Sequence, residues 1–302
     1  MLRASGREAA GFAGAQTVSV ARTATLTLVA MLAFAANSVL CRLALQETAI
    51  DPASFTIIRL LAGALMLAGL LAARGGRAAR MRAGNWRSAL ALFAYAAGFS
   101  FAYVSLTTGT GALLLFAAVQ ATMIGAGLAR GERLAPRQSA GLALALGGLV
   151  YLLLPGLAAP PLAGALLMIA AGIAWGLYSL LGRGTPDALA ATAGNFLRTV
   201  PMAIALGVVV LENPHMDTRG ALYALLSGAL ASGAGYAVWY AALRGLKATS
   251  AATVQLSVPL IAALGGALLL GEALTLRLAL SSLAILGGVA VVLVGRRAPA
   301  LR

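Results

Sequence analysis

The chain contains an internal repeat, and each copy contains an odd number of apolar segments. The segment Ala33 to Arg42 matches Ala174 to Arg183 at an offset of 141 residues, and Gly131-Glu132 matches Gly271-Glu272 at an offset of 140. Each copy contains five apolar stretches. Because five membrane crossings end on the side opposite to the start, the second copy must begin on the opposite side. The repeat therefore predicts two halves in inverted orientation, an arrangement typical of alternating-access transporters.

Ten apolar stretches are long enough to cross a membrane, which takes about 20 residues each. The chain of 302 residues is 61% hydrophobic and 10% charged, whereas charge is nearer a quarter in soluble domains. The predicted spans are 24–45, 52–73, 88–106, 109–129, 137–155, 162–182, 188–211, 220–243, 248–270 and 274–295. The sequence therefore predicts an all-α polytopic membrane protein with ten transmembrane helices in two inverted five-helix repeats. We place the boundaries at an N-terminal tail 1–23, a first repeat 24–155, a second repeat 162–295 and a C-terminal tail 296–302.

The basic residues are concentrated in the two tails and in alternate loops. These segments hold 17 of the 22 Lys and Arg residues, in a chain with a net charge of +14. Such a bias marks the cytoplasmic side of a membrane protein. We therefore expect a multi-pass protein of a bacterial inner (plasma) membrane with both termini in the cytoplasm. The positive charge then determines topology, so the expected partner is the lipid bilayer and not nucleic acid.

The residue types that catalysis and metal binding require lie outside the middle of the spans. Cys41 is the only cysteine, His215 is the only histidine and lies in a loop, and none of the eight acidic residues is in mid-span. A carboxylate or histidine proton relay through the membrane would have no residues to use. We therefore expect no enzymatic activity, no cofactor and no metal.

A proline in the predicted ninth span marks the first candidate site. Pro259 cannot donate a hydrogen bond to the carbonyl of Gln255, and a carbonyl freed near the bilayer centre must find another partner or line a wet cavity. Ser257 adds a hydroxyl at that depth, and Gln120 lies beside Val119, the repeat mate of Pro259. We expect Gln255, Ser257, Pro259 and Gln120 to line a substrate cavity. The alternative is a packing kink with amides that bond neighbouring helices.

Aromatic residues in the third, sixth and eighth spans form the second candidate group. Tyr and Trp at span ends belong to interfacial belts, but deeper ones need a polar partner for their O–H or N–H. We expect an amphipathic cavity wall, with belt or packing roles as the alternative. The candidate residues are Tyr95, Tyr103, Trp175, Tyr178, Tyr236 and Trp239.

Charged residues at span positions form the third group. Arg59 and Arg198 occupy near-equivalent positions in the second helix of each repeat, and ionisable residues within membranes are functional candidates. Arg198 lies deepest and is the stronger candidate for binding a substrate carboxylate, with helix packing as an equal alternative.

Glu132 and Glu272 each follow a glycine at the end of a fourth-in-repeat helix. The helix dipole disfavours a lone carboxylate there, so we expect gating or surface salt bridges with arginines.

Taken together, these residues resemble the drug/metabolite transporter superfamily, specifically its ten-helix EamA-type members. The resemblance covers nearly the whole chain and rests on Trp175-Gly176, Arg59, Arg198, Pro259 and the Gly-Glu pairs at 131–132 and 271–272. The first half departs from the pattern, with Phe34-Ala35 in place of Trp-Gly and Val119 where a proline is usual. The resemblance implies export of amino acids and related metabolites through a central cavity between the halves.

We therefore expect a secondary transporter that exports small solutes by alternating access. Neutral, aromatic or apolar amino acids lead, since aromatic walls and amides without a fixed acid suit a neutral polar head with an apolar side chain. Efflux of lipophilic cations or other toxic compounds is the alternative within transport, and a non-transporting membrane scaffold or receptor is the alternative from another class. Without an intramembrane carboxylate, facilitated diffusion or exchange is favoured over proton coupling. Monomer and homodimer both remain open.

Overall fold

The computed structural model describes residues 20–75, 83–156, 159–210, 215–246 and 248–294, and the predicted tails fall mostly outside these ranges. The helices in these ranges are α1 (Val20–Glu47), α2 (Pro52–Ala73), α3 (Trp86–Tyr103), α4 (Thr108–Ala129), α5 (Pro136–Leu153), α6 (Leu162–Leu181), α7 (Ala188–Val210), α8 (Thr218–Leu226), α9 (Gly235–Leu243), α10 (Ala248–Val254), α11 (Val258–Leu270) and α12 (Leu276–Val294). Their bounds lie within about four residues of the predicted spans.

Polar caps determine where several helices begin. Asp51, Asn85 and Asp217 each accept a hydrogen bond from the backbone N–H three residues on, which satisfies a donor that the first helical turn leaves free. Asp51 also exchanges hydrogen bonds with the backbone of His215, so the loop before α2 is joined to the loop before α8. The short connections between spans are therefore fixed by local chemistry.

We call each continuous helical stretch that runs the length of the bundle a rod, whether it is one helix or several joined end to end. Two rods of the second repeat change their helical geometry along their length. A π-helical segment, Ser227–Ala234, joins α8 to α9, and a 3₁₀ turn, Gln255–Ser257, joins α10 to α11. Pro259 follows that turn, and the Gln255 carbonyl accepts from the backbone N–H of Val258 instead. The carbonyl that proline leaves free thus finds its partner within the chain.

The outer surface of the bundle is apolar, as a lipid-facing surface must be. Leu65, Val208, Leu268 and Leu283 are each more than 70% exposed. Within the described ranges, eight helical segments are long and apolar enough to cross a membrane. The segments α3 and α5, with 18 residues each, are not among them. The structure is that of a multi-pass all-helical membrane protein, while the count of ten spans and the cytoplasmic termini stay predictions.

The helices pack in pairs that follow the repeat. Equivalent helices contact each other directly, as α2 does α7, α4 does α11 and α5 does α12. Other contacts join the third rod of one repeat to the first rod of the other. Thus α3 packs on α6, and the rod α8–α9 packs on α1. Such a pattern is expected when a two-fold pseudo-symmetry axis relates the halves.

The pairing of α5 with α12 shows that the halves are inverted. Gln138 near the start of α5 donates to the Val292 carbonyl near the end of α12, at 3.0 Å. Further along α5, Gly148 packs against Ala284 and Ile285, which lie earlier in α12. Equivalent helices of the two repeats therefore run antiparallel, as the odd number of predicted spans requires.

Candidate functional site

A cavity lies between the two halves near the middle of the helices. Its volume is small, about 20 Å³, which is room for about one water molecule. The first, third and fourth rods of each repeat all contribute to its wall. The lining residues are Phe34, Asn37, Ser38, Tyr95, Phe99, Leu115, Phe116, Trp175, Ala231, Ser232, Tyr236 and Gln255. A midplane cavity at a repeat interface is the usual location of a transporter binding site.

Aromatic rings form a continuous wall around Trp175. Its ring centroid lies 4.8 Å from that of Tyr95, 5.2 Å from that of Tyr236 and 5.3 Å from that of Tyr178. Phe34 meets Tyr236 edge-on at 5.9 Å. Tilted and edge-on pairs at these distances are favourable. The wall is therefore closely packed and largely apolar, and Trp175 is half-buried at its centre.

A chain of hydrogen bonds supports one side of the wall. Ser227 Oγ donates to Asn37 Oδ1 at 2.6 Å, and Asn37 Nδ2 donates to the Tyr95 hydroxyl at 3.2 Å. Arg59 Nη2 donates to the same hydroxyl at 2.8 Å. The guanidinium carbon lies 5.1 Å from the Tyr95 ring centroid and 4.7 Å from that of Phe99. Arg59 is thus held directly behind the aromatic wall.

Two buried polar groups, one in the cavity wall and one behind it, have no hydrogen-bond partner within the described part of the chain. One is Nη1 of Arg59, which is 2% exposed, and the other is Oγ of Ser232, which is 1% exposed. Ser232 lines the cavity, whereas Arg59 does not line it but bonds the lining residue Tyr95. Most buried polar groups are paired, so such exceptions call for an explanation. Thr108 Oγ1 and Ser281 Oγ are also unpaired, but neither residue lines the cavity.

Four of the predicted substrate-binding residues, Gln255, Trp175, Tyr95 and Tyr236, line the cavity. Three more lie in contact with the lining. Tyr178 stacks on Trp175, Tyr103 meets Phe99 edge-on at 4.7 Å, and Trp239 meets Phe34 edge-on at 5.9 Å. Their direct role in binding stays a prediction.

The structure places the other four predicted residues outside the lining. Ser257 donates to the Val254 carbonyl of its own rod, while Pro259 and Gln120 are buried in the packing. Arg198 donates from Nη1 to the carbonyls of Ala83 and Gly194, both at 2.8 Å. These bonds tie α7 to the segment that precedes α3, and a role of Arg198 in substrate binding stays a prediction.

A second polar cluster lies at one end of the bundle, the end where α1 finishes and α12 begins; we call it the distal end. Glu272 Oε1 accepts from Arg42 Nε at 3.1 Å, and Oε2 accepts from the Thr108 N–H at 2.7 Å. Arg42 Nη1 also donates to the carbonyls of Tyr103 and Val104. Gly271, at φ +65°, supports the sharp turn that precedes Glu272. The cluster joins the α3–α4 and α11–α12 connections, which belong to different halves.

The equivalent glutamate, Glu132, follows Gly131 at the opposite end of the bundle and is exposed. Both glycines have positive φ, so the two turns share a backbone conformation. Glu272, in contrast to the exposed Glu132, is largely buried, with its side chain 11% exposed, and pairs with Arg42.

Sequence reasoning did not identify several of the lining residues. The sequence marks Phe34 only as a departure from the family pattern, and it predicts no role for Asn37 or Ser232. Asn37 lies one turn after Phe34, on the same face of α1, which is the signal that could have identified it. Ser232 carries no comparable signal, because it lies in a segment rich in Ser, Gly and Ala.

Comparison with known proteins agrees with this architecture. The EamA-like transporter family matches the chain twice, over residues 21–154 and 162–294. An uncharacterised protein of Pseudomonas aeruginosa is 60% identical over 281 residues, which are 93% of this chain and 98% of the relative. An uncharacterised transporter of Archaeoglobus fulgidus is 30% identical over 80% of this chain and 87% of its own length. A solved crystal structure with 21% identity superposes with a TM-score of 0.65, over 90% of this chain and 99% of that one, and shares the fold.

Proposed function

The chain belongs to the EamA-like transporter family of the drug/metabolite transporter superfamily, and we propose that it exports amino acids and related metabolites by alternating access. The aromatic cavity between the inverted halves is the observation that carries this proposal. Its volume of about 20 Å³ is too small for an amino acid, so a solute enters only when the two halves move apart, as alternating access requires.

The composition of the wall favours amphipathic solutes. Rings of Phe34, Trp175 and Tyr236 offer an apolar surface, while Asn37 and Gln255 offer amide groups. An amino acid with an aromatic or apolar side chain has matching parts. Its side chain contacts the rings and its charged head contacts the polar groups.

The location of Arg59 argues against lipophilic cations as the main substrates. Its guanidinium lies directly behind Tyr95 and Phe99, with no carboxylate paired to it in the described residues. A fixed positive charge beside a cavity of low dielectric repels a second cation. In the transport test, lipophilic cations are therefore expected not to be exchanged.

The basic loops support an orientation with both termini in the cytoplasm of a bacterium. The distal end then faces outward, and the cluster of Arg42, Glu272 and Thr108 acts as the outer gate. Alternating access requires that this end opens when the other end closes. We propose exchange or facilitated diffusion, since the spans lack a mid-membrane carboxylate for a proton relay.

Counterflow in proteoliposomes tests the proposed function. Vesicles loaded with one unlabelled amino acid should accumulate the labelled form faster than empty vesicles, with aromatic and apolar members of the panel leading. Ethidium and similar lipophilic cations serve as the comparison set. The proposal would be overturned if only the cations exchanged, or if no amino acid exchanged faster than in empty vesicles.

A further inference from the structure

Building on the proposed transport function, we propose that Arg59, Tyr95 and Ser232 form a subsite that binds the carboxylate of the transported solute. The subsite lies at the edge of the aromatic cavity, where α2, α3 and the π-helical segment meet. It assigns anion recognition to Arg59, whereas the sequence pattern had favoured its repeat mate Arg198.

The first observation is the electrostatic isolation of Arg59. The side chain is 2% exposed, bonds the Tyr95 hydroxyl and lies over the rings of Tyr95 and Phe99, and among the described residues it forms no ion pair with a carboxylate. Removing one partner from a buried ion pair is costly because an unneutralised charge remains buried. An anionic group at Nη1 would supply the missing neutralisation and the missing hydrogen bond.

The second observation concerns the proton of the Tyr95 hydroxyl. Its oxygen accepts hydrogen bonds from both Asn37 Nδ2 and Arg59 Nη2. A phenol oxygen has two lone pairs and one proton, so both acceptor positions are used and the proton remains available. Since Tyr95 lines the cavity, its O–H adds a donor beside the free guanidinium nitrogen.

The third observation is Ser232, which also lines the cavity and whose hydroxyl is buried without a partner. It lies in the π-helical segment, and such segments often occur at functional sites. That segment packs on α2, since a Cβ at Gly228 would meet the Arg59 carbonyl at 2.2 Å. The serine and the arginine therefore belong to two segments in direct contact.

Two donors in the cavity wall and one behind it, with no carboxylate paired to them among the described residues, suit a compact, delocalised anion with at least two acceptor oxygens. A carboxylate meets this description, and the planar fork of arginine matches its geometry. The aromatic wall beside these donors would hold the apolar part of the same solute. This division of the cavity requires that the carboxylate, and not the amine, dominates recognition.

Three probes with one phenyl ring separate these contributions. L-Phenylalanine, 3-phenylpropionate and phenethylamine are titrated against the purified full-length protein in nanodiscs, with calorimetry as the readout. The first two probes carry a carboxylate and should bind. Phenethylamine lacks it, and its Kd should be at least about tenfold higher, as expected for the loss of a hydrogen bond to a charged group.

The Ser232→Ala variant tests the subsite without removing any bond that the described protein makes. Its Tm without ligand should equal that of the parent, whereas its Kd for 3-phenylpropionate should rise about tenfold. Ser281→Ala is the matched control, because its hydroxyl is equally buried and unpaired but lies on α12 away from the cavity. It should change neither quantity.

Arg59→Met should abolish binding of both carboxylate probes, and Arg59→Lys should restore it in part, since lysine keeps the charge but not the fork. If Arg59→Met fails to fold, Tyr95→Phe and Ser232→Ala carry the test.

The two proposals fail separately. Counterflow of amino acids with equal binding of phenethylamine, or with no effect of Ser232→Ala, would overturn the subsite and leave transport standing. Binding of 3-phenylpropionate that depends on Arg59, without amino-acid counterflow, would support the subsite and overturn the amino-acid assignment. Binding of inorganic anions alone would also overturn the subsite.

Discussion

Replacing Glu272 with glutamine should loosen the distal end of the bundle. Its carboxylate, 11% exposed, accepts from Arg42 Nε at 3.1 Å and from the Thr108 N–H at 2.7 Å. Hydrogen bonds to charged groups contribute about 1.5–3 kcal/mol each. Glutamine retains one acceptor oxygen but loses the charge and the second acceptor, so we expect a loss of about 2 kcal/mol in the closed state.

That loss has a measurable effect on the populations of the two states. A change of about 1.4 kcal/mol is a factor of ten, so about 2 kcal/mol reduces the ratio of closed to open roughly 30-fold. A distal end that is open in about 1% of molecules would then be open in about a quarter of them.

Distances between spin labels at the distal end provide the measurement. Val104→Cys and Leu274→Cys place labels on the two connections that the cluster joins, and both side chains are about half exposed. Cys41 is buried and is replaced by alanine to leave two labels. The Glu272→Gln variant should show a second, longer distance in double electron–electron resonance.

Glu47→Gln serves as the control, because it makes the same chemical change at an exposed carboxylate at the end of α1. It should leave the distance distribution unchanged. If Glu272→Gln also leaves it unchanged, or if both variants lengthen it equally, the Glu272 cluster does not hold this end closed.

Three further predictions follow from packing and from the cavity wall. Gly266→Ala should lengthen the same label distance, because its Cβ would lie 2.4 Å from Glu272 Oε2 and 2.8 Å from Thr108 Cβ. Gly288→Leu should lower the yield of monodisperse protein in size-exclusion chromatography, since a Cβ there would meet the Gly141 carbonyl at 2.4 Å; Gly287→Leu, which faces open space, should not. Trp175→Ala and Gln255→Ala should each reduce counterflow at least about tenfold at normal expression; Trp86→Ala, at an exposed helix start, is the control.

The helices could be predicted from the sequence because apolar and charged residues separate sharply along the chain. Loop arginines and capping residues such as Asp51 mark the ends of spans, so the bounds of α2 agree with the predicted 52–73. The internal repeat at an offset of about 140 residues, with five spans in each copy, predicts that the halves are inverted. The antiparallel packing of α5 on α12 agrees with that prediction. These properties depend on sequence periodicity and parity alone.

The π-helical segment could not be predicted in this way. Apart from Leu230, its residues, Ser227–Ala234, are Ser, Gly and Ala, and they would equally suit an α-helix. The close approach of Gly228 to the Arg59 carbonyl is a tertiary contact that local composition does not encode. For that reason Ser232, whose orientation depends on this segment, was absent from the predicted site.

Aromatic spacing gave the cavity wall only in part. Tyr95, Phe99 and Tyr103 recur at intervals of four residues and share one face of α3. Tyr95 and Phe99 line the cavity, while Tyr103 donates to the Thr108 carbonyl near the distal end. Periodicity therefore identified the face of the helix, and only the three-dimensional packing determined the depth at which that face borders the cavity.

The two intramembrane arginines show why the symmetry of the sequence does not determine the site. Arg59 and Arg198 are near-equivalent in the repeat, but Arg198 bonds the carbonyls of Ala83 and Gly194. Arg59 lies against the rings of Tyr95 and Phe99, behind the cavity wall, and retains an unpaired nitrogen. The two arginines differ because the Ala83 carbonyl, in the segment before α3, lies within hydrogen-bond distance of Arg198 on α7. Carbonyl groups are present at every residue, so no side-chain pattern reveals which arginine they will satisfy. Duplication therefore supplied two guanidinium groups, and packing left one of them available at the cavity.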